Sequence, residues 1–170
     1  MYHLVIRQFM RSLKNLDAIL EKAQRHAEAK KFDVNNFLSA RLAPDMFAFT
    51  RQVQNVCDIA KNAAAGLAGK EAPRHEDTEK SFEELRGRIG KCLAYLEGFT
   101  AADFEQTRPD ALVKIPRPAG KAMRAQEYVL ARALPNFYFH LTTAYNLLRQ
   151  GGVELGKADY LGPLEFVDAR

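Results

Sequence analysis

The chain has 170 residues, enough for one domain with a substantial core and too few for two comfortable ones. Hydrophobic residues make up 47% and charged residues 27%, with a formal net charge of +4, which describes a globular chain and excludes disordered and membrane-embedded classes. No apolar run approaches the roughly 20 residues that span a bilayer, and Arg7, Arg11, Lys14 and Asp17 interrupt any signal-peptide core, so a single cytoplasmic domain over residues 1–170 is expected.

Residues 3–31 read as a long amphipathic helix. Ile6, Phe9, Leu13, Leu16, Leu20, Ala23 and Ala27 recur at steps of three and four, with charges opposite. Those charges alternate in sign, as on a solvated face, and do not form the basic, aromatic-interleaved surface of a nucleic-acid binder. Residues 32–42 form a connector anchored by Phe37 and Leu38. A second helix is expected from Pro44, a residue suited to a first helical position, with Asp45 favouring the positive end of the dipole. It runs through Met46, Phe49, Val53, Val56, Cys57, Ala60, Ala63 and Ala64 and stops near Gly66 and Gly69.

After a polar loop, Ser81 and Glu84 have the spacing of a capping box that opens a third helix. Its core stripe is Phe82, Leu85, Ile89, Cys92, Leu93 and Leu96. Residues 107–125 break the helical pattern, and a small hairpin turning at Pro118-Ala119-Gly120 is expected there. A short helix over 126–134 meets Pro135, which should kink it or start a new one. The last main helix, 135–150, ends at Gly151-Gly152. The tail keeps Val153, Leu155, Tyr160, Leu161, Leu164 and Phe166, too apolar to hang free, and is expected to dock on the helices or on a second subunit. The sum is an all-α four-helix bundle with a hairpin-like insertion between helices 3 and 4.

Cys57 and Cys92 fall at apolar helical positions without a CxxC pair, so both read as buried hydrophobes and not as metal or redox ligands. His3, His26 and His75 look like surface groups. His140 differs, because at helical spacing it shares a face with Phe137, Ala144, Leu147 and Leu148. An ionisable ring inside an apolar stripe must find a partner or stay neutral. Helix 2 offers Asp45 and Gln52 along one edge of its buried stripe. Helix 4 adds Thr143 on one flank of His140 and Tyr145 on the other. The expected ligand pocket is therefore Asp45, Gln52, His140, Thr143 and Tyr145, with His140, Asp45 and Tyr145 as candidate catalytic groups. A neutral His140 beside Asp45 would serve as a general base near pH 7.

The long first helix, the Pro44-Asp45-Met46 opening with Gln52, the EELRGRI stretch at 83–89 and the NFYFHLTTAYNLLRQGGVELGKADYLG segment at 136–162 resemble one bacterial family of unknown function. That family is grouped with the DinB/YfiT-like superfamily, whose members are read as metalloenzymes. The resemblance covers nearly the whole chain and implies an up-down-down-up bundle, commonly a homodimer. It also implies a metal site of three histidines, one on helix 2 and a His-x-x-x-His pair on helix 4. This sequence departs from that pattern. His140 matches one position, but Ala144 stands four residues later and helix 2 has no histidine. A catalytic zinc or nickel wants about three protein ligands, so no tight metal site is expected.

Three functions follow. The first is a small-molecule pocket around His140, with the basic 108–125 segment drawing an anionic ligand if it folds over the mouth. The second is a non-catalytic homodimeric interaction or accessory protein. The third is a metal-dependent hydrolase or thiol transferase. Neither nucleic acid nor membrane is expected as a partner, and the residues alone leave open whether the protein is an enzyme.

Overall fold

The computed structural model describes residues 1–169. Four long helices share one hydrophobic core: α1 (Tyr2–Lys30), α2 (Phe49–Leu67), α3 (Phe82–Glu97) and α5 (Leu134–Gln150). The α1 stripe of Ile6, Phe9, Leu13, Leu16, Leu20, Ala23 and Ala27 is buried along its whole length. Phe9 meets Phe137 of α5 with ring centroids 4.4 Å apart, and Phe49 of α2 stacks on Phe82 of α3 at 5.2 Å.

Contacts between the helices define their directions. Phe49 lies beside Phe82 and Asp58 beside Arg88, so α2 and α3 start at the same end. Gln8 bonds Tyr138 while His26 approaches Gly152, so α1 and α5 run the same way. Asp17 and Glu21 meet Arg86 near the start of α3, whereas Lys14 meets Glu97 at its end, so α1 opposes α3.

α2 begins at Phe49 and not at Pro44. The preceding segment is a tight turn, in which the Met46 amide donates to the Ala43 carbonyl and Arg41 binds the Met46 carbonyl. The first free amides of α2 are satisfied by the connector: Phe49 donates to the Ala40 carbonyl at 2.9 Å, and Thr50 donates to Leu38 from both its amide and its hydroxyl. A helix begins where its orphan donors find acceptors, and here that point comes five residues after the proline. Asp45 is thus neither a cap nor a first-turn residue.

α3 has half of the expected capping box. Ser81 Oγ accepts from the Glu84 amide at 3.1 Å, but the Glu84 carboxylate takes the Lys80 amide and not that of Ser81. The insertion forms an antiparallel hairpin of β1 (Leu112–Lys114) and β2 (Ala122–Arg124), with Val113 opposite Met123. Buried Val113 seats the hairpin against Gly66 near the end of α2.

A one-turn helix, α4 (Ala125–Glu127), widens into a π-helical turn over Tyr128–Ala133 and continues as α5 without a break. Pro135 lacks an amide hydrogen and its ring crowds the carbonyl four residues back, so the turn before it opens. Gly151 caps α5 and Gly152 follows at φ 92°, a backbone that glycine adopts without strain. The tail then docks through buried Val153 and Leu155 and through α6 (Lys157–Leu161), which Lys22 and Asn15 of α1 hold at Asp159 and the Tyr160 carbonyl. Leu164, Phe166 and Val167 remain exposed. No helix among the described residues is long and apolar enough to cross a membrane.

Candidate functional site

His140 sits on the inward face of α5, 8% exposed, and meets Gln52 of α2, 1% exposed. Their pairing sets the chemistry of the ring. The Gln52 side-chain amide donates from Nε2 to the Phe47 carbonyl at 2.9 Å. A carbonyl only accepts, so Oε1 of the same amide is the end left for His140 Nδ1, 2.7 Å away. Nδ1 therefore carries the proton and Nε2 holds the lone pair. Among the described residues Nε2 has no partner, and it is not among the fully enclosed atoms, so its lone pair is open to solvent.

Two aromatic rings flank it: Phe47 stacks at 6.4 Å and 23°, and Phe139 stands edge-on at 5.2 Å. They are 52% and 55% exposed, an unusual amount of aromatic surface to leave in water. The Arg51 guanidinium lies 6.0 Å from the Phe47 ring centroid. Burial first, and the Arg51 charge second, hold the imidazole below its ordinary value of 6.5. The neutral form is thus favoured, with one acceptor nitrogen left beside two exposed rings.

The other expected pocket residues are placed differently. Asp45 is exposed on the turn before α2, and among the described residues no hydrogen bond or ion pair joins it to His140. Thr143 is buried, but its hydroxyl donates to the Phe139 carbonyl of its own helix at 2.7 Å. Tyr145 packs edge-on against Tyr160 at 5.7 Å on the α6 side. The hairpin contacts α2 at Gly66, about 21 Å along the helix from Gln52, so the basic 108–125 segment does not cover His140.

A divalent metal of the kind that the family resemblance implies does not fit this donor set. Both ends of the Gln52 amide are spent, on Phe47 and on His140. Ala144 offers no ligand, and the described residues contain no group of three or more His, Cys, Asp or Glu side chains able to hold an ion. One imidazole is short of the roughly three ligands a catalytic zinc needs.

A second polar constellation escaped the sequence reading. Arg88 of α3 is 2% exposed, and its guanidinium binds Asp58 of α2 at 2.8 Å, Asp77 at 3.0 Å and Glu79 at 2.9 Å. It also donates to the Glu76 carbonyl at 3.0 Å. Buried Lys61 joins through Asp58 at 3.2 Å, Gln54 donates to Glu79 at 2.8 Å, and Arg51 pairs with Asp77. His75, expected at the surface, is half-buried with Nδ1 enclosed and unpartnered, and its pKa is lowered by burial and then by Lys61 and Arg88. A signal was present: Arg88 stands three residues after Leu85 and four before Cys92, on the core stripe itself. Cys57 and Cys92, distant in sequence, also meet, the Cys92 thiol donating to the Cys57 carbonyl at 3.3 Å. Both are free and buried.

Residues 1–161 match the model of a domain of unknown function, DUF1993. No curated protein matches the chain. Among solved structures it is similar to a DinB family member protein from Shewanella denitrificans, with 46% identity, a TM-score of 0.92, and coverage of 99% of this chain and 95% of that one. With a family model spanning nearly all of its length and a fold neighbour at that identity, this chain belongs to the DUF1993 family and has a mostly helical, DinB-type fold.

Proposed function

We propose that the protein binds a small organic molecule at His140, with Nε2 as the hydrogen-bond or proton acceptor and Phe47 and Phe139 packing against the ligand. The observation that carries this reading is the Phe47–Gln52–His140 relay, which fixes the tautomer and turns a lone pair outward. What distinguishes the site from packing alone is that two half-exposed aromatic rings, Phe47 and Phe139, flank a histidine whose second nitrogen is left without a protein partner among the described residues. A neutral imidazole of lowered pKa suits general-base chemistry near pH 7, and such chemistry at this site is part of the proposal. The four long helices are read as an up-down-down-up bundle, supported by the directions of their contacts.

The test is an NMR screen of small planar and aliphatic ligands against the wild type and His140→Asn. Asparagine retains a donor for Gln52 but removes Nε2. Ligands that bind the wild type and lose affinity in the variant support the proposal; equal binding to both overturns it. Elemental analysis after incubation with zinc, nickel or manganese belongs to the same experiment. One metal per chain, lost in the variant, would favour the metal-dependent hydrolase or thiol transferase reading instead. Homodimerisation is the second reading, supported by the exposed Leu164, Phe166 and Val167 and tested by light scattering on the full chain.

A further inference from the structure

The cluster around Arg88 is assembled from two sources that carry opposite charge. α2 and α3 contribute three cations, Arg51, Lys61 and Arg88, and one carboxylate, Asp58. The strap between those helices contributes the other two carboxylates, Asp77 and Glu79. With the strap seated the group is neutral; the helical wall alone carries a net charge of two positive. At the rim, Arg74 and Lys91 are offset by Glu76 and Glu84.

The strap is attached through side-chain contacts to its neighbours, with the Glu76 carbonyl and the Lys80 amide as its backbone partners. Among the described residues, 71–80 take part in no backbone–backbone hydrogen bond, and the segment is neither helix nor strand. What holds it is Asp77 and Glu79 on the two arginines, Gln54 on Glu79, Arg88 on the Glu76 carbonyl, and the Glu84 carboxylate on the Lys80 amide. It also fits incompletely. A cleft of about 450 Å³ lies between the strap and α3, lined by His75, Glu79, Arg88 and Lys91 among others. On its lining, Arg88 Nε and His75 Nδ1 are enclosed without a partner among the described residues. An unpaired buried donor costs about 1–3 kcal/mol, so the strap's carboxylates are imperfect occupants of this site.

We propose that Arg51 and Arg88, with Lys61 adjoining them through Asp58, form a binding site for a small dianion, a phosphate or dicarboxylate group, and that the strap's Asp77 and Glu79 occupy it in cis. Guanidinium forks match the planar or tetrahedral oxygens of such groups, and a charge of minus two is what the strap itself supplies. The strap thereby acts as an internal competitor, and a ligand pays for displacing it through the small population of the open form. The site shares Arg51 with the surroundings of His140, but it does not depend on the His140 reading.

Two measurements test this, with inorganic phosphate and succinate as the probes. In Asp77→Asn/Glu79→Gln, which keeps the shape of the strap but removes its charge, each probe should bind about tenfold to a hundredfold more tightly than in the wild type. Adding Arg51→Gln to that background should reverse most of the gain. In the unaltered chain, the probe dianions should speed trypsin cleavage after Arg74 and Lys80 relative to sodium chloride at equal ionic strength, which keeps the test open if the double variant fails to fold. A response to phosphate alone assigns the site to phosphoryl groups, and a response to succinate alone assigns it to dicarboxylates. Unchanged affinity in a folded double variant, or cleavage that follows ionic strength alone, overturns the proposal.

Discussion

Replacing Arg88 with methionine isolates the energy of the buried cluster. The substitution keeps most of the side-chain volume and removes the only cation among the described residues that touches Asp58, Asp77 and Glu79 together. Removing one partner of a buried ion pair costs about 3–5 kcal/mol, because the charge left behind is uncompensated. Here the carboxylates differ in how far they can rehydrate. Glu79 is 12% exposed and bears the loss, whereas Asp58 at 26% and Asp77 at 38% relax toward water. Asp77 also keeps Arg51, and Asp58 keeps Lys61. The lower end of the range applies, about 3 kcal/mol. With a urea slope of about 2 kcal/mol/M for a chain of this size, the midpoint should fall by about 1.5 M. Urea unfolding followed by circular dichroism measures it. A loss below about 1 kcal/mol, the value of an exposed pair, would refute the reasoning, because the guanidinium would then be no more than a surface charge.

Packing and titration supply two further predictions. Gly151→Ala should destabilise the protein by about 1–3 kcal/mol in thermal melts, because a Cβ there would lie 2.3 Å from Phe37 Cε1; shortening the neighbour with Phe37→Leu should restore part of the loss, and a Gly151→Ala variant as stable as the wild type would contradict the contact. His75 and His140 are both held below 6.5, chiefly by burial, so the folded chain prefers them neutral. The unfolded chain takes up these protons first as pH falls through 6.5, so stability is full above that value and declines below it. Burial pushes the Glu79 carboxylate up, but the bonds from Arg88 and Gln54 together outweigh it and hold the group low, so its contribution is withdrawn only below 4.5. Urea midpoints should therefore drop between pH 7 and pH 5, and a His75→Asn/His140→Asn variant should flatten that step; an unchanged step would assign it to other groups.

Local periodicity was enough to locate the long helices, because an amphipathic stripe is written in neighbouring residues. The buried faces of α1 and α3, the stop at Gly151-Gly152 and the hairpin at 112–124 all follow from spacing and turn chemistry. His140 was legible for the same reason, as a polar residue on an apolar face. The start of α2 was not, since the acceptors that complete its first turn belong to Leu38 and Ala40, outside the helix. The same holds for the partner of His140. Asp45 and Gln52 are both possible from the helical repeat, and only the placement of Phe47 selects Gln52 and fixes the proton on Nδ1.

Which residues turn inward along each helix is written in local intervals of three and four. Which of those inward groups meet depends on how the helices pack. Arg88 finds Asp58 only because α2 and α3 lie side by side in register, and finds Asp77 and Glu79 only because the strap returns across both helices. Those contacts span separations along the chain for which no repeat exists, so charge pairing and the closure of the core set them.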